Sequence, residues 1–316
     1  MSAPSLELPP VGAPLLSLRH VCKSYGDKRA VDDVSLEVPR GSIYGFLGPN
    51  GAGKTTTIRA IMNIILPDAG EILLAGSPLD GSRRDFVAYL PEERGLYRKM
   101  KCVDQLAYLA QLKGVPRQAA RARAREWLGR MELAEYADRK VDNLSKGMQQ
   151  KVQFAATFIS EPHLVVLDEV FSGLDPLNIE LLRSMIVEQK QRGTTILFST
   201  HMLAEAERIC DAICLIEAGR KILDGTLPQV RAAFPLHSVR VAWEGDPEPP
   251  ADLPGVIGRE LSEGTWRLTL AEGVAPQSLL PLLQAAGRLT YFSANRPSLG
   301  EIFLAAVRRQ RGEGAA

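Results

Sequence analysis

The stretch GPNGAGKT, residues 48–55, decides the fold of this chain. It fits the pattern G-x-x-x-x-G-K-[ST] in full, between the strand-like run IYGFL (43–47) and the helix-like run TTIRAIMNII (56–65). Glycines let backbone N–H groups converge on phosphate oxygens because no Cβ blocks the approach, and the helix start adds partial positive charge. A tight turn that binds nothing is the alternative, and the complete motif in its required context argues against it.

Each part of this phosphate loop has a predicted role toward a nucleotide. Lys54 is expected to reach the β- and γ-phosphates, and the Thr55 hydroxyl to ligate Mg²⁺. The other loop residues predicted to contact ATP are Gly48, Pro49, Asn50, Gly51, Ala52, Gly53 and Thr56. Tyr25, in a turn after the first strand, is a candidate for stacking on the adenine, and a packed surface tyrosine fits its position equally well.

The composition is that of an ordinary soluble globular protein. The chain has 316 residues, 45% of them hydrophobic and 24% charged, with a formal net charge of +1. This length allows two domains or one large one, and the neutral balance gives no push toward nucleic acid or a membrane surface. Four cysteines without metal-type pairing suit a reducing cytoplasm. No apolar run approaches the roughly 20 residues that span a bilayer, so a transport pore would belong to another chain.

The periodicity along the first two thirds predicts an α/β fold with a helical insert. Strand patterns fill residues 15–47, and a helical pattern runs from about 103 to 139 with a break at 114–116. Strands then alternate with helices: HLVVLD (163–168) is typical of a buried parallel strand, and TTILFST (194–200) follows a helix. We place the insert at about residues 100–160.

A second, smaller domain is predicted after residue 230. Composition changes near 231–236, and EGDPEPPADLP (244–254) is acidic and proline-rich, which marks a loop. The strand patterns HSVRVAW, TWRLTLA and LTYFSA and the helix patterns QSLLPLLQAAG and PSLGEIFLAAVRR surround it. These elements predict an α+β domain over 231–312, with a ferredoxin-like arrangement as one candidate. Dimer contacts or regulation, and a purely stabilising role, both stay open for it.

The run LVVLDE (164–169) supplies the second half of a phosphate site. An apolar strand delivers Asp168 and Glu169 to the carboxyl edge of a sheet, where ligands bind. Asp168 is suited to hold Mg²⁺, and Glu169 to orient and deprotonate an attacking water. His201 follows TTILFST at the same edge and could position that water, although its spacing alone leaves a structural role equally open.

LSKGMQQ (144–150) predicts a second anion site. Ser145 can cap the following helix, so its hydroxyl and the Gly147 N–H would be exposed at a helix start. The helical insert holds this start away from the chain's own phosphate loop, and a second copy rotated by two-fold symmetry could bring it onto the first copy's ATP. An ordinary capped helix is the alternative.

Residues 15–230 resemble the ATP-binding cassette of ABC transporters, because they contain its motifs in the order that the family has. The resemblance rests on Tyr25, the phosphate loop, LSKGM (144–148), LVVLDE, SGLD (172–175) and His201. It implies a P-loop core of mixed sheet with a β-subdomain and a helical insert. It further implies a head-to-tail dimer with two ATPs, in which Glu169 is the general base, His201 senses the γ-phosphate, and Asp175 makes a contact across the dimer.

Finer detail narrows the resemblance. AYLPEERGLYRKM (88–100), LSKGMQQKVQ and RPSLGEIFLAAV look like the ATPase subunits of type-2 ABC exporters, the sodium-efflux and daunorubicin-resistance group. This implies a separately encoded permease and a location on the inner face of the cell membrane, with drugs, ions or lipids as exported cargo. The cargo itself cannot be read from this chain, because its contacts would lie in the permease.

Three positions depart from the family pattern. Glu92 stands where glutamine is usual; a carboxylate can still ligate Mg²⁺, but it adds negative charge beside the phosphates. LSKGM replaces LSGGQ, which keeps Ser145 and Gly147 and adds the cation of Lys146. Val170 replaces a common proline. We expect ATP hydrolysis to survive all three changes.

Two further functions compete with a transport motor. An ABC-type ATPase acting on ribosomes or DNA is disfavoured, because the chain has one phosphate loop, lacks a long coiled-coil pattern and carries almost no net charge. A small-molecule P-loop kinase would leave LSKGM and SGLD unexplained. We therefore expect no nucleic acid among the partners.

Overall fold

A computed structural model describes residues 6–79, 81–93, 95–234, 238–245, 248–262, 264–271, 273–294 and 297–310. The chain divides into two compact units, Met1–Thr226 and Leu227–Ala316. The predicted end of the second domain at residue 312 lies outside the described residues.

The first unit contains strands and helices in alternation, as the sequence predicts. Its strands are β1 (Pro14–Tyr25), β2 (Lys28–Pro39), β3 (Ile43–Leu47), β4 (Ala69–Leu74), β5 (Ser77–Pro78), β6 (Val87–Leu90), β7 (Leu164–Asp168), β8 (Thr195–Thr200), β9 (Ala212–Glu217) and β10 (Arg220–Thr226). Its helices are α1 (Lys54–Ile61), α2 (Cys102–Leu112), α3 (Arg117–Arg130), α4 (Lys146–Phe158), α5 (Pro176–Gln191) and α6 (Leu203–Ile209).

Two sheets share the core of this unit. One is antiparallel with the order β2-β1-β4-β5, and the other has the order β10-β9-β3-β8-β7-β6 and is parallel from β9 to β6. β3, β7 and β8 are buried along their whole length, as expected for parallel strands covered on both faces. Val34, Phe46 and Val166 belong to one apolar cluster that joins the sheets. The mixed α/β fold is therefore confirmed.

The parallel strands set the position of the site. β3 runs directly into the phosphate loop, β7 ends at Asp168, and β8 ends one residue before His201. Since parallel strands end at a common edge of their sheet, these three segments meet there.

The helical insert follows the predicted periodicity. One face of α2 is buried, and it consists of Val103, Leu106, Ala107 and Ala110. The helical run is interrupted at Gly114, whose φ of 84° favours glycine, and α3 starts after Pro116. Trp127 of α3 stacks on Phe158 of α4 with ring centroids 6.1 Å apart, which ties the two helices together.

The second unit is a small α+β fold. Its elements are α7 (Leu227–Ala233), β11 (Ser238–Trp243), β12 (Val256–Ser262), β13 (Thr265–Leu270), α8 (Leu280–Ala285), β14 (Leu289–Ser293) and α9 (Leu299–Gln310). The sheet is antiparallel in the order β12-β13-β11-β14. Its core is formed by Val241, Trp243, Leu268 and Leu283 among others, and Arg267 holds α9 through Glu301 at 2.6 Å.

One strand of this unit escapes sequence prediction. β12 is an edge strand with Ile257 and Leu261 exposed, so it lacks the buried alternation that reveals a strand. A ferredoxin-like domain has a helix between its first two strands. Here the described residues between β11 and β12 form turns and irregular backbone instead. No helix among the described residues combines the length and the apolar character that crossing a bilayer requires.

Candidate functional site

The phosphate loop depends on two glycines for packing. A Cβ on Gly48 would lie 2.3 Å from the backbone oxygen of Ile216, and one on Gly53 would lie 2.4 Å from that of Ala30. Gly53 also has a φ of 106° at the start of α1. Gly51 has a φ of 81°, but its Cβ would meet no atom within 4 Å. Gly48 and Gly53 therefore permit close backbone packing, whereas Gly51 only permits a left-handed turn.

Backbone hydrogen bonds connect this loop to two distant segments. Gly219, in the turn between β9 and β10, donates its N–H to the oxygen of Ala52 at 2.9 Å. The oxygen of Gly219 accepts the N–H of Asp32 on β2 at 2.8 Å. The turn at Gly219 therefore holds the phosphate loop against β2.

A cavity of 390 Å³ opens beside the loop. Its lining residues are Tyr25, Lys28, Ala30, Asn50, Gly51, Gly53, Lys54, Thr55, Thr56, Glu92 and Glu169. The predicted adenine, phosphate and metal contacts Tyr25, Lys54, Thr55 and Glu92 thus share one space with Glu169. Lys28 also lines it and was missed, because a lysine next to a turn has no distinctive pattern.

Lys54 is engaged by the protein itself. Its ammonium donates to the backbone oxygen of Gly48 at 2.7 Å and of Pro49 at 3.2 Å, and it lies 3.5 Å from Oε1 of Glu169. The side chain is 6% exposed. A bound phosphate would have to compete with these oxygens for the lysine.

Glu169 occupies an uncommon backbone conformation. Its φ is 49°, in the left-handed region, and its N–H donates to the oxygen of Ser199 on β8 at 3.0 Å. The carboxylate accepts the backbone N–H of His201 at 3.0 Å and the Thr200 hydroxyl at 3.1 Å, while Nδ1 of His201 lies 2.9 Å from Oε2. The end of β8 therefore fixes the orientation of this carboxylate.

Asp168 is almost completely buried, with 1% of its surface exposed. Burial raises the pKa of its carboxyl; the Ser199 hydroxyl, which donates to Oδ1 at 2.9 Å, lowers the pKa, and the nearby charges of Glu169 and Glu92 raise it again. A group whose charged form is disfavoured in this way is suited to face a cation. Ser199 was missed, since a hydroxyl within a strand pattern is not distinctive.

The oxygen donors at this edge of the sheet have the chemistry that Mg²⁺ prefers. Among the described residues no three or more His, Cys, Asp or Glu side chains cluster in a manner able to hold a metal by themselves. Mg²⁺ usually takes one or two carboxylates together with substrate phosphates and water, all of them oxygen ligands. The hydroxyl of Thr55 and the carboxyls of Asp168 and Glu92 match that chemistry, so the residues fit the ion when a nucleotide is present.

The start of α4 carries the residues that are predicted to form a second anion site. Ser145 caps this helix, with its Oγ accepting the N–H of Met148 at 3.3 Å. Gly147 lies beside Leu174 and Asn178, because a Cβ there would be 3.6 Å from each side chain. The start of α4 and the loop before α5 are therefore neighbours.

Asp175 belongs to the same group. It caps α5 by accepting the N–H of Asn178 at 3.0 Å, and this bond lowers the pKa of its carboxyl. The described lining of the 390 Å³ cavity includes none of Ser145, Gly147 and Asp175. Asp168 and His201 are also outside this lining, but Asp168 precedes Glu169 in the chain and His201 contacts its carboxylate. A single copy thus brings together one half of the predicted site residues and presents the second anion site elsewhere.

Two glutamines on α4 contact the Glu92 loop and the segment after Glu169, and the sequence did not predict a role for them. Gln153 is buried and donates to the backbone oxygens of Pro91 and Glu93, on either side of Glu92, at 3.2 and 3.3 Å. Gln150 donates to the oxygen of Val170 at 3.3 Å. One helix therefore carries the Ser145 cap, supports the Glu92 loop and contacts the end of the acidic segment.

Comparison with protein families places both units. The family described as "ABC transporter" matches residues 31–172, and the family "ATP-binding protein DrrA1-3-like, C-terminal domain" matches residues 225–307. The two matches follow each other along the chain without overlap.

Individual proteins agree with these families. The uncharacterized ABC transporter ATP-binding protein YhaQ of Bacillus subtilis is 38% identical over 294 residues, which is 93% of this chain and 98% of that protein. Nod factor export ATP-binding protein I of Burkholderia orbicola is 41% identical over 66% of this chain and 70% of its own length. A solved ATP-binding subunit of an ABC transporter is 37% identical with a TM-score of 0.66, covering 70% of this chain and 93% of that one.

The family match agrees with the geometry of the site, because the phosphate loop, the acidic pair and the capped helix start all lie within the matched residues 31–172. The chain therefore belongs to the ATP-binding subunits of ABC transporters, the family that binds and hydrolyses ATP and works with membrane permease subunits.

Proposed function

We propose that this subunit powers export through a separately encoded permease, with ATP held between the phosphate loop of one copy and Ser145 and Gly147 of another. The observation that carries this proposal is the division of the site. One copy gathers Tyr25, Lys54 and Glu169 around a cavity, while its capped helix start at Ser145 lies outside that cavity.

The surface next to the second anion site supports a partner copy. Leu177, two residues after the cap Asp175, is 84% exposed at the start of α5. An exposed leucine beside the predicted cross-dimer residue would be covered in a head-to-tail dimer. In a two-fold arrangement each phosphate loop would meet the partner's helix start, and both sites would be completed together.

The chemistry of hydrolysis would use residues of one copy. Glu169 is proposed as the general base, because the end of β8 orients its carboxylate toward one face. Lys54, Thr55 and the loop N–H groups would bind the phosphates, and His201 would hold Glu169 and sense the γ-phosphate. Thr55, Asp168 and Glu92 would hold Mg²⁺, which when bound neutralises phosphate charge.

A groove of 730 Å³ supports the permease as partner. Its lining includes Ile64, Leu96, Leu109 and Leu112 together with Gln153, which supports the Glu92 loop. An apolar groove rimmed by exposed side chains is typical of a protein-binding site. A permease segment seated there would touch the loop that also carries a Mg²⁺ ligand, so that motion could pass between them. The subunit would then lie on the inner face of the membrane.

Export as the direction is supported by the similarity to Nod factor export ATP-binding protein I. Drugs, ions or lipids are the proposed cargo classes, as the sequence resemblance implies.

Sedimentation of the Glu169→Gln variant with Mg-ATP tests the shared site. A stable dimer is expected with ATP and a monomer without it, and Ser145→Arg in the same background should restore the monomer. A monomer for Glu169→Gln at saturating ATP would overturn the shared site. Co-purification with a multi-span permease, followed by loss on Leu112→Asp, tests the partner.

A further inference from the structure

A second cavity, of 490 Å³, lies at the opposite edge of the parallel sheet from the nucleotide site. Arg40 precedes β3, His163 precedes β7 and Thr194 precedes β8, and all three line this cavity. The ATP-binding segments follow the carboxyl ends of those strands, so the two cavities are separated by the length of the sheet. Its size lies within the range of small-molecule sites.

Guanidinium groups dominate the lining of this cavity. Its cationic side chains are Arg40, Arg123, Arg130 and Arg192, and its carboxylates are Glu126 and Glu161. Two of these arginines share the carboxylate of Glu188: Arg130 lies 2.7 Å from its Oε2 and Arg192 lies 2.8 Å from its Oε1. The contacts of Arg123 with other described residues are long, 3.6 Å to Glu161 and 3.4 Å to the oxygen of Ile159. Since each guanidinium offers five donors, the cavity holds more donors than these carboxylates satisfy.

An unpartnered amide lies in the same lining. Gln189 is 5% exposed, and its Nε2 has no hydrogen-bond partner among the described residues. A buried donor without a partner is unfavourable, so an acceptor that enters the cavity would be stabilised there. Gln189 and Arg192 are one turn apart near the end of α5, so their donors approach the cavity from the same side.

The floor of the cavity is rigid. Trp127 stacks on Phe158, and the guanidinium of Arg130 lies 4.3 Å from the Trp127 ring centroid. His163 adds a ring whose pKa is lowered by burial and by the charge of Arg40. A planar or tetrahedral anion with several oxygens fits guanidinium donors held in fixed positions.

We propose that this cavity binds a small anion carrying carboxylate or phosphate groups, held by Arg123, Arg192 and the amide of Gln189. This binding is independent of the proposed function, because none of the cavity's residues lines the nucleotide site. The cavity joins α3 and the end of α4 to the sheet, so an occupied site would fasten the helical insert at the end opposite Ser145.

Isothermal titration with citrate and with inorganic phosphate tests this site in the full chain. At least one probe should bind the wild type, and which of them binds separates a carboxylate from a phosphate ligand. Arg123→Gln and Gln189→Leu should each weaken binding by about tenfold or more. Arg125→Gln, which removes the same charge from an exposed position of α3 outside the cavity, should leave it unchanged.

Two further measurements distinguish binding in this cavity from binding at the phosphate loop and from a loss of folding. Lys54→Ala should keep the binding signal, since the anion would not occupy the phosphate loop. Gln189→Leu should keep or raise the melting temperature, because it removes a buried donor without a partner. The absence of heat with both probes at about 10 mM would overturn the site, since affinity that weak has little specificity. Binding that is abolished by Lys54→Ala would also overturn the site. Binding that neither Arg123→Gln nor Gln189→Leu weakens would overturn it as well.

Discussion

The ammonium nitrogen of Lys54 lies 3.5 Å from Oε1 of Glu169, and both residues are less than a tenth exposed. The proposed roles of these residues are opposite: the lysine binds phosphate and the glutamate activates water. At this distance they neutralise each other in a buried position, where an isolated charge would be costly. The arrival of a phosphate would therefore take the lysine away from the glutamate and leave the base free.

Replacing Glu169 with glutamine is expected to separate binding from hydrolysis. The amide cannot accept a proton from water, so kcat should fall by about 10²–10⁴-fold. ATP binding should stay equal or become tighter, because Lys54 loses its carboxylate partner. Steady-state ATPase assays and equilibrium nucleotide titration measure the two effects. Glu135→Gln, at an exposed position, serves as the matched control and should change neither. Unchanged turnover in Glu169→Gln would remove Glu169 as the base.

Replacing Asp168 with asparagine is expected to stabilise the nucleotide-free protein. Because burial raises the folded-state pKa of this carboxyl, its favourable contribution exists at low pH and is lost as pH rises through that pKa. Above that pKa the ionised side chain is unfavourable, and the asparagine should raise the melting temperature by about a few degrees while still accepting from Ser199.

The same substitution should remove the response to Mg-ATP. Wild-type protein should gain melting temperature on addition of Mg-ATP, and Asp168→Asn should gain much less, with activity lost. The stability difference between the two proteins should shrink toward acidic pH, as the wild-type carboxyl protonates. A variant that melts lower than wild type at pH 7 would contradict this account of Asp168.

Two glycines of the phosphate loop give a matched pair of alanine variants. Gly51→Ala should cost about 1–2 kcal/mol of unfolding free energy, the strain of a left-handed alanine with open space around it. Gly53→Ala adds a Cβ 2.4 Å from the Ala30 backbone oxygen, which should cost about 1–3 kcal/mol more. Denaturant unfolding measures both, and equal losses would show that the close approach of β2 to the loop is unimportant.

Gln153 is expected to position the Glu92 loop. Gln153→Leu removes the donors to Pro91 and Glu93, so the concentration of Mg²⁺ needed for half-maximal ATPase activity should rise by about tenfold. Gln149→Leu, on the same helix, instead removes bonds to Val141 and Leu144 before the Ser145 cap. It should leave the Mg²⁺ requirement unchanged and weaken ATP-dependent dimer formation. Identical effects of the two variants would indicate a general loss of helix stability.

Local patterns predict much of this molecule from the sequence. The glycines of the phosphate loop, the apolar run before Asp168 and the Asp175–Pro176 helix start are short-range signals, and each lies at the expected element boundary. The sequence pattern of DFVAYL (85–90) predicts a strand over all six residues, but in the structure Asp85 and Phe86 end a tight helical turn and β6 begins at Val87.

Contacts between distant segments could not be predicted in this way. Ser199 and Thr200 orient the acidic pair only because β8 lies next to β7. The pairing of Lys54 with Glu169 likewise depends on the sheet and on the left-handed turn at Glu169. Such contacts follow from which strands are neighbours, which periodicity along one strand does not reveal. The edge strand β12 was missed for a different reason, the absence of a buried face.

The turn at Gly219 has a practical meaning for anyone who modifies this protein. Hairpin tips are the usual places to splice in an epitope or a fluorescent reporter, and this one joins two consecutive antiparallel strands. Yet Gly219 bonds both Ala52 and Asp32, so residues spliced in beside it would pull the nucleotide loop out of register. A label intended to leave ATP handling intact is better placed elsewhere on the chain.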